Sequence, residues 1–153
     1  MSLYLEFDLL IRRFAAAHIR YAVAGGLAVG LHGFVRATED MDFVVDSNDM
    51  EKVAGILRRA GYRRNPETVT FRKARFTLHR FYKRTEGAEE LLVVDILIPV
   101  SGPARLLLDR AVKLRFADTA VHVVANKDLI WMKQMRGSAT DRADIERLTK
   151  CND

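Results

Sequence analysis

Cysteine is nearly missing from this sequence. A lone Cys151 can close no internal disulfide, and no Cys/His cluster accompanies it, so a disulfide scaffold and a structural zinc site are both excluded as expectations. Long apolar runs are missing too, and none approaches the roughly 20 residues of a membrane-spanning helix. The opening MSLYLEFDLLIRRF carries acids early and an amphipathic pattern, without the basic-then-apolar layout of a signal peptide. Repeats, low-complexity tracts and linker-like stretches are lacking as well. What is left, 153 residues of which 49% are hydrophobic, predicts a soluble, cytoplasmic protein with one domain over 1–153 and a buried core.

Acidic residues are scarce in one place only. Residues 58–84 contain ten Lys or Arg against a single acid, Glu67, whereas the segments on either side are slightly acidic. The net charge of +5 therefore originates in one block, which includes Arg63, Arg64, Arg72, Lys73, Arg75 and Arg80. Such a block suits a polyanion, and equally a solvated face that keeps the protein in solution.

The hydrophobic periods give a coarse order of elements. Phe7, Leu10, Ile11 and Phe14 predict an amphipathic helix over 3–18. YAVAGG (21–26) reads as a buried strand running into a turn, LAVGLHG (27–33) as a short helix, and MDFVVD (41–46) as a second strand. Asn48 with Glu51 predicts a capping box opening a helix that Gly61 stops. Residues 62–84 look strand-like with a hairpin near Lys73-Ala74, and LLVVDILIPV (91–100) looks like a central strand. A helix over 104–111, a strand over 121–124 and a closing helical pair over 126–136 and 139–150 complete the chain.

Three aspartates interrupt apolar strands. Asp40 and Asp42 are two apart and share one strand face, while Met41 and Phe43 point to the opposite one. Asp95 lies within Val, Leu and Ile, where an uncompensated carboxylate is costly, so a basic partner or a metal ion is needed. Convergent carboxylates suit Mg²⁺, and two such ions assist displacement at phosphorus. Gly25-Gly26, at a strand-to-helix turn, would let backbone N–H groups approach a phosphate.

Gly-Gly, a spacer, Asp-x-Asp and a later strand aspartate resemble the nucleotidyltransferase superfamily with a DNA polymerase β type of palm. HGFVRATEDMDFVV and DLIWMKQMRGSATDRADIERL are similar, more narrowly, to its abortive-infection toxin branch, over roughly residues 20–150. The resemblance implies an α+β nucleotidyltransferase fold, a mixed and mainly antiparallel twisted sheet with flanking helices. It implies that Gly25 and Gly26 hold the triphosphate, and that Asp40, Asp42 and Asp95 are catalytic and bind two Mg²⁺ (or Mn²⁺) ions, Asp95 also being a candidate base. Lys133 and Asp141 match positions tied to nucleotide binding. Where that branch has an Arg-Pro-like pair this chain has Ser138-Ala139, with Arg136 one turn earlier as the candidate substitute.

The function so implied is transfer of an NMP from an NTP to an acceptor. The acceptor reading is RNA held by residues 58–84, in a toxin–antitoxin setting with a cognate antitoxin or a homodimer. The alternatives are a small-molecule or protein acceptor, and a catalytically silent binding module. Thr38 either bonds a phosphate oxygen or caps the turn into the strand. His32 is expected to cap a helix end, and His79 to sit on a strand surface. Phe76, Phe81 and Tyr82 offer either a stacking platform for nucleic acid or ordinary packing.

Overall fold

The alternation in DMDFVV decides how the sheet is covered. Met41, Phe43 and Val45 of strand β2 (Asp40–Val45) are buried on one face, leaving Asp40 and Asp42 on the other. Against the apolar face lies helix α1 (Leu3–Ala16), whose Phe7, Leu10, Ile11 and Phe14 are all buried. The Phe43 ring stacks on Phe7 at 5.9 Å and takes Phe14 edge-on at 5.2 Å. The computed structural model describes residues 3–34, 37–71, 75–85, 87 and 90–151.

Strand β1 (Tyr21–Ala24) leads directly into helix α2 (Gly25–Leu31), so both glycines belong to the helix and not to the strand. After β2, a 3₁₀ turn over Ser47–Asp49 enters helix α3 (Met50–Arg59). The cap there is Asp46, which accepts from the Asn48 N–H at 2.9 Å, and not the expected Asn48-Glu51 box. An aspartate two residues earlier satisfies the same amide first. Strands β3 (Arg63–Phe71) and β4 (Phe76–Arg84) pair antiparallel, and the expected turn at 73–74 lies outside the described residues. Strand β5 (Leu91–Pro99) follows as expected.

Between residues 102 and 123 the sequence reading needs correction. A short 3₁₀ stretch, Gly102–Leu106, replaces the helix expected over 104–111. An unanticipated strand β6 (Val112–Phe116) pairs antiparallel with β7 (Thr119–Val123). Helices α4 (Asn126–Arg136) and α5 (Ala139–Cys151) close the chain, separated by Gly137 at φ +71°.

The seven strands form one sheet in the order β3-β4-β5-β2-β1-β7-β6. Pairings β1–β2, β3–β4, β4–β5 and β6–β7 are antiparallel, while β2–β5 and β1–β7 are parallel. The fold is therefore α+β with a mixed, mainly antiparallel sheet. Beneath α1 and α3, the buried Glu6 carboxylate accepts from Lys83 Nζ at 2.7 Å and from the Tyr62 hydroxyl at 3.0 Å. Among the described residues, no helix is long and apolar enough to cross a membrane.

Candidate active site

Strand register brings the aspartates together. Asp42 and Asp95 are direct partners across β2–β5, and Ala24, the residue before the glycine turn, is the partner of Asp42 across β1–β2. Arg80 faces Asp95 across β4–β5. Reading across the sheet, one line therefore carries the glycine turn, Asp42, Asp95 and Arg80. Asp40 sits one rung away on the same face as Asp42.

That line floors a cavity of about 460 Å³, roofed by Leu129, Met132, Lys133 and Arg136 of α4. Gly25 is part of its wall for a steric reason. At φ +63°, a Cβ on this residue would stand 1.9 Å from Asp42 Oδ2, so no other side chain fits here without moving the carboxylate. Burial, then the neighbouring Asp95 and Asp40, push the Asp42 carboxyl up to about 7. Asp40 is also raised, first by burial and then by Asp95. Neither carboxylate has a hydrogen-bond or ion-pair partner among the described residues.

Asp95 is different. Its Oδ1 accepts from Arg80 Nε at 2.8 Å and its Oδ2 from Nη2 at 2.9 Å, a bidentate pair. This hydrogen bonding raises the Arg80 guanidinium well above its ordinary range. Among the described residues, no three His, Cys, Asp or Glu side chains form a ready-made metal cage. Asp40 and Asp42 nonetheless fit a hard divalent cation, since their carboxylates are unpaired oxygen donors whose crowding and burial outweigh the pull of Arg80, Lys133 and Arg136 nearby.

A second charged network stands behind the first. Asp141 is fully buried and accepts from Arg136 Nε at 2.7 Å and Nη2 at 2.6 Å, and from the Ser138 hydroxyl at 2.7 Å. Burial alone would raise this carboxyl; the bonds from Arg136 and Ser138 override it and hold Asp141 well below the usual carboxylate range. The backbone N–H groups of Ser138 and Asp141 each donate to the other residue's side chain, a Ser-x-x-Asp cap on α5. Lys133 Nζ lies 2.9 Å from Asp144 Oδ2 and 3.5 Å from Asp141 Oδ1. Asp141 thus stays out of the cavity and fixes the two cations that line it.

Other expected site residues are placed elsewhere. Thr38 and Gly26 line a separate small cavity of about 150 Å³, and Thr38 Oγ1 donates to the Asp40 carbonyl at 3.2 Å, the turn-capping alternative. Arg64 reaches His79 at 3.1 Å and Glu51 at 3.4 Å and lies over the Phe81 ring, while Arg75 donates to Ser101 Oγ. Arg63 is exposed on β3, and Arg72 and Lys73 lie outside the described residues. Phe76 and Phe81 are buried, so neither stacks in solvent. His32 caps the C-terminus of α2, its Nε2 2.9 Å from the Val124 carbonyl oxygen. Sequence reasoning missed the apolar part of the cavity, where Phe71, Phe76, Leu78, Leu97, Met132 and Met135 come from four separate elements.

Crowded carboxylates beside a glycine turn, faced by fixed cations, fit chemistry on a phosphate chain. A family model described as an uncharacterised nucleotidyltransferase matches residues 1–151. The chain belongs to that nucleotidyltransferase family. Solved structures share its fold. The crystal structure of ANT(2")-Ia in complex with adenylyl-2"-tobramycin is 12% identical with a TM-score of 0.73, covering 100% of this chain and 91% of that one. An antigenic nucleotidyltransferase-like protein from Paracoccidioides brasiliensis is 21% identical, TM-score 0.63, covering 95% of this chain and 74% of its own. The lincomycin-bound lincosamide antibiotic adenylyltransferase LnuA is 18% identical, TM-score 0.59, covering 99% and 98%. No curated protein matches the sequence. In this nucleotidyltransferase, then, the fold places the glycine turn, Asp40, Asp42 and Asp95 on a single cavity.

Proposed function

We propose that this nucleotidyltransferase moves an NMP from an NTP to the hydroxyl of a small acceptor bound in the cavity between the sheet and α4. The observation that carries this reading is the register line of Ala24, which leads straight into Gly25, with Asp42, Asp95 and Arg80 across four adjacent strands. Asp40 and Asp42 would hold Mg²⁺, which when bound neutralises triphosphate charge. Lys133 and Arg136, held by Asp141 and Asp144, present fixed positive charge to phosphate oxygens with no reorganisation needed. Asp95, on the β5 wall of the cavity, would orient or deprotonate the attacking hydroxyl.

In-line displacement puts the nucleophile and the departing pyrophosphate on opposite sides of phosphorus. With the triphosphate against Gly25 and Lys133, the acceptor approaches from the β4–β5 side, where Leu78, Leu97 and Phe76 form the wall. Apart from the three aspartates, no acid lines this cavity among the described residues. With those three committed to the metal and to Arg80, a polycation finds no further counter-charge there, whereas an acceptor with an apolar face and a hydroxyl does find complementary surroundings.

RNA is the second reading, carried by the basic block. Its support is narrower than the sequence suggests, because Arg80 and Lys83 face inward to Asp95 and Glu6. Exposed Arg58, Arg59, Arg63 and Arg84 remain for a polyanion. Incubation with each α-³²P-NTP and Mg²⁺, beside an RNA oligonucleotide, kanamycin, and a cell-extract fraction below about 1 kDa, separates the cases. Label on a small, weakly charged product supports the main reading, label on RNA the second, and label on kanamycin contradicts the charge argument.

A further inference from the structure

The third carboxylate of the site is occupied. Asp95 has only 5% of its side chain exposed, and both of its oxygens are taken by one guanidinium. The partner, Arg80, is 47% exposed, lies on the cavity wall, and has no other hydrogen bond or ion pair among the described residues. Asp42, one rung across the ladder from Asp95, has no partner at all among them. The three carboxylates line one cavity, yet among the described residues they form no cage.

We propose that Arg80 is a latch on the active site: it keeps Asp95 away from the cation while the enzyme is empty and hands it over when a triphosphate arrives. This rests on the reading that Asp40 and Asp42 bind a divalent cation. The exchange needs no backbone motion. A half-exposed guanidinium turns about its own side-chain bonds from a carboxylate to phosphate oxygens, a ligand it grips with the same two-pronged geometry. Asp95 then turns to the cation on the neighbouring strand. Arg80 and Asp95 each have a partner before and after, so this buried carboxylate is never left alone. Asp95 thereby becomes a ligand only once the substrate is present, which ties assembly of the site to nucleotide binding. Arg80 is a positioning residue in this scheme, and the basic segment contributes it to the active site rather than to a polyanion surface.

The test is Mn²⁺ binding followed by electron paramagnetic resonance, with no turnover involved. Wild type, Asp95→Asn, Arg80→Ala and the double variant are compared without nucleotide, and wild type and Asp95→Asn again with a non-transferable α,β-methylene NTP. Without nucleotide, Asp95→Asn should leave the wild-type Mn²⁺ Kd within about twofold, because Asp95 is withheld. In the Arg80→Ala background the same change should weaken Mn²⁺ by about tenfold, the usual effect of losing one contribution to a metal site. With the analogue bound, Asp95→Asn should cost about tenfold in the otherwise wild-type protein. An Asp95→Asn effect that is equal in both backgrounds overturns the latch, since Arg80 then acts only as a nearby charge. If Arg80→Ala fails to fold, Arg80→Lys keeps the charge but cannot cover both oxygens, and the same cycle applies. No Mn²⁺ bound by wild type or any variant overturns the cation reading and the latch with it, whereas Mn²⁺ binding that needs Asp42 but ignores Arg80 overturns the latch alone.

Discussion

Asp42 makes a prediction about stability that does not depend on catalysis. Its carboxyl is pushed from 3.8 up to about 7 by burial and by Asp95 and Asp40 beside it. Between those two pH values the folded protein holds a proton that the unfolded chain has released, so stability falls as pH rises through that window. At about 1.4 kcal/mol per pH unit the gap sets a ceiling of roughly 4 kcal/mol. Local water and small side-chain shifts should reduce it to about 2 kcal/mol in practice, or roughly 4–8 °C in Tm for a chain of this size. Asp42→Asn removes the charge and keeps the shape. Melts followed by circular dichroism in a chelator should show the variant more stable than wild type by several degrees at pH 8, with the difference shrinking towards zero near pH 4. Millimolar Mg²⁺ should restore the wild type at pH 8 and leave the variant unmoved. A variant less stable than wild type at pH 8, or a gain that does not vary with pH, refutes the claim that crowded charge burdens this site.

Three further outcomes follow from the geometry. Gly25→Ala places a Cβ where Asp42 Oδ2 stands and forces an alanine to φ +63°, so it should cost about 1–3 kcal/mol in urea unfolding and weaken Mn²⁺ binding. Lys83→Met strands the buried Glu6 carboxylate with Tyr62 alone and should cost about 3–5 kcal/mol, most of it recovered when Glu6→Gln is added. Asp141→Asn loosens Arg136 and should weaken NTP binding roughly tenfold, about 1.4 kcal/mol by calorimetry, with Mn²⁺ affinity in the absence of nucleotide unchanged.

What could be read beforehand was local. The period of two in DMDFVV gives the strand, its buried face and the direction of both aspartates, because each depends only on neighbouring residues. Asp95 within LLVVDILIPV announces a compensated charge for the same reason. Which partner compensates it could not be read, since Arg80 meets Asp95 only through the β4–β5 register. The basic block misled in the same way: composition counts ten cations, but the alternation of β4 sends Arg80 into the cavity and Lys83 to Glu6 on the opposite face. Strand β6 was missed because VKLRF is short and mostly exposed, and it exists as a strand through its pairing with β7. Thr38 is two residues from Asp40 and Gly26 is next to Gly25, yet both open onto a different cavity, a separation that depends on how α2 packs.

The most direct test of the account follows two labels from one nucleotide. With α-³²P-NTP and γ-³²P-NTP run in parallel on the same acceptor fraction with Mg²⁺, the α label should appear on the acceptor and the γ label in pyrophosphate. Both should be lost in Asp42→Ala. Transfer of the γ label to the acceptor, or α-label transfer that survives in Asp42→Ala, contradicts nucleotidyl transfer at this cavity.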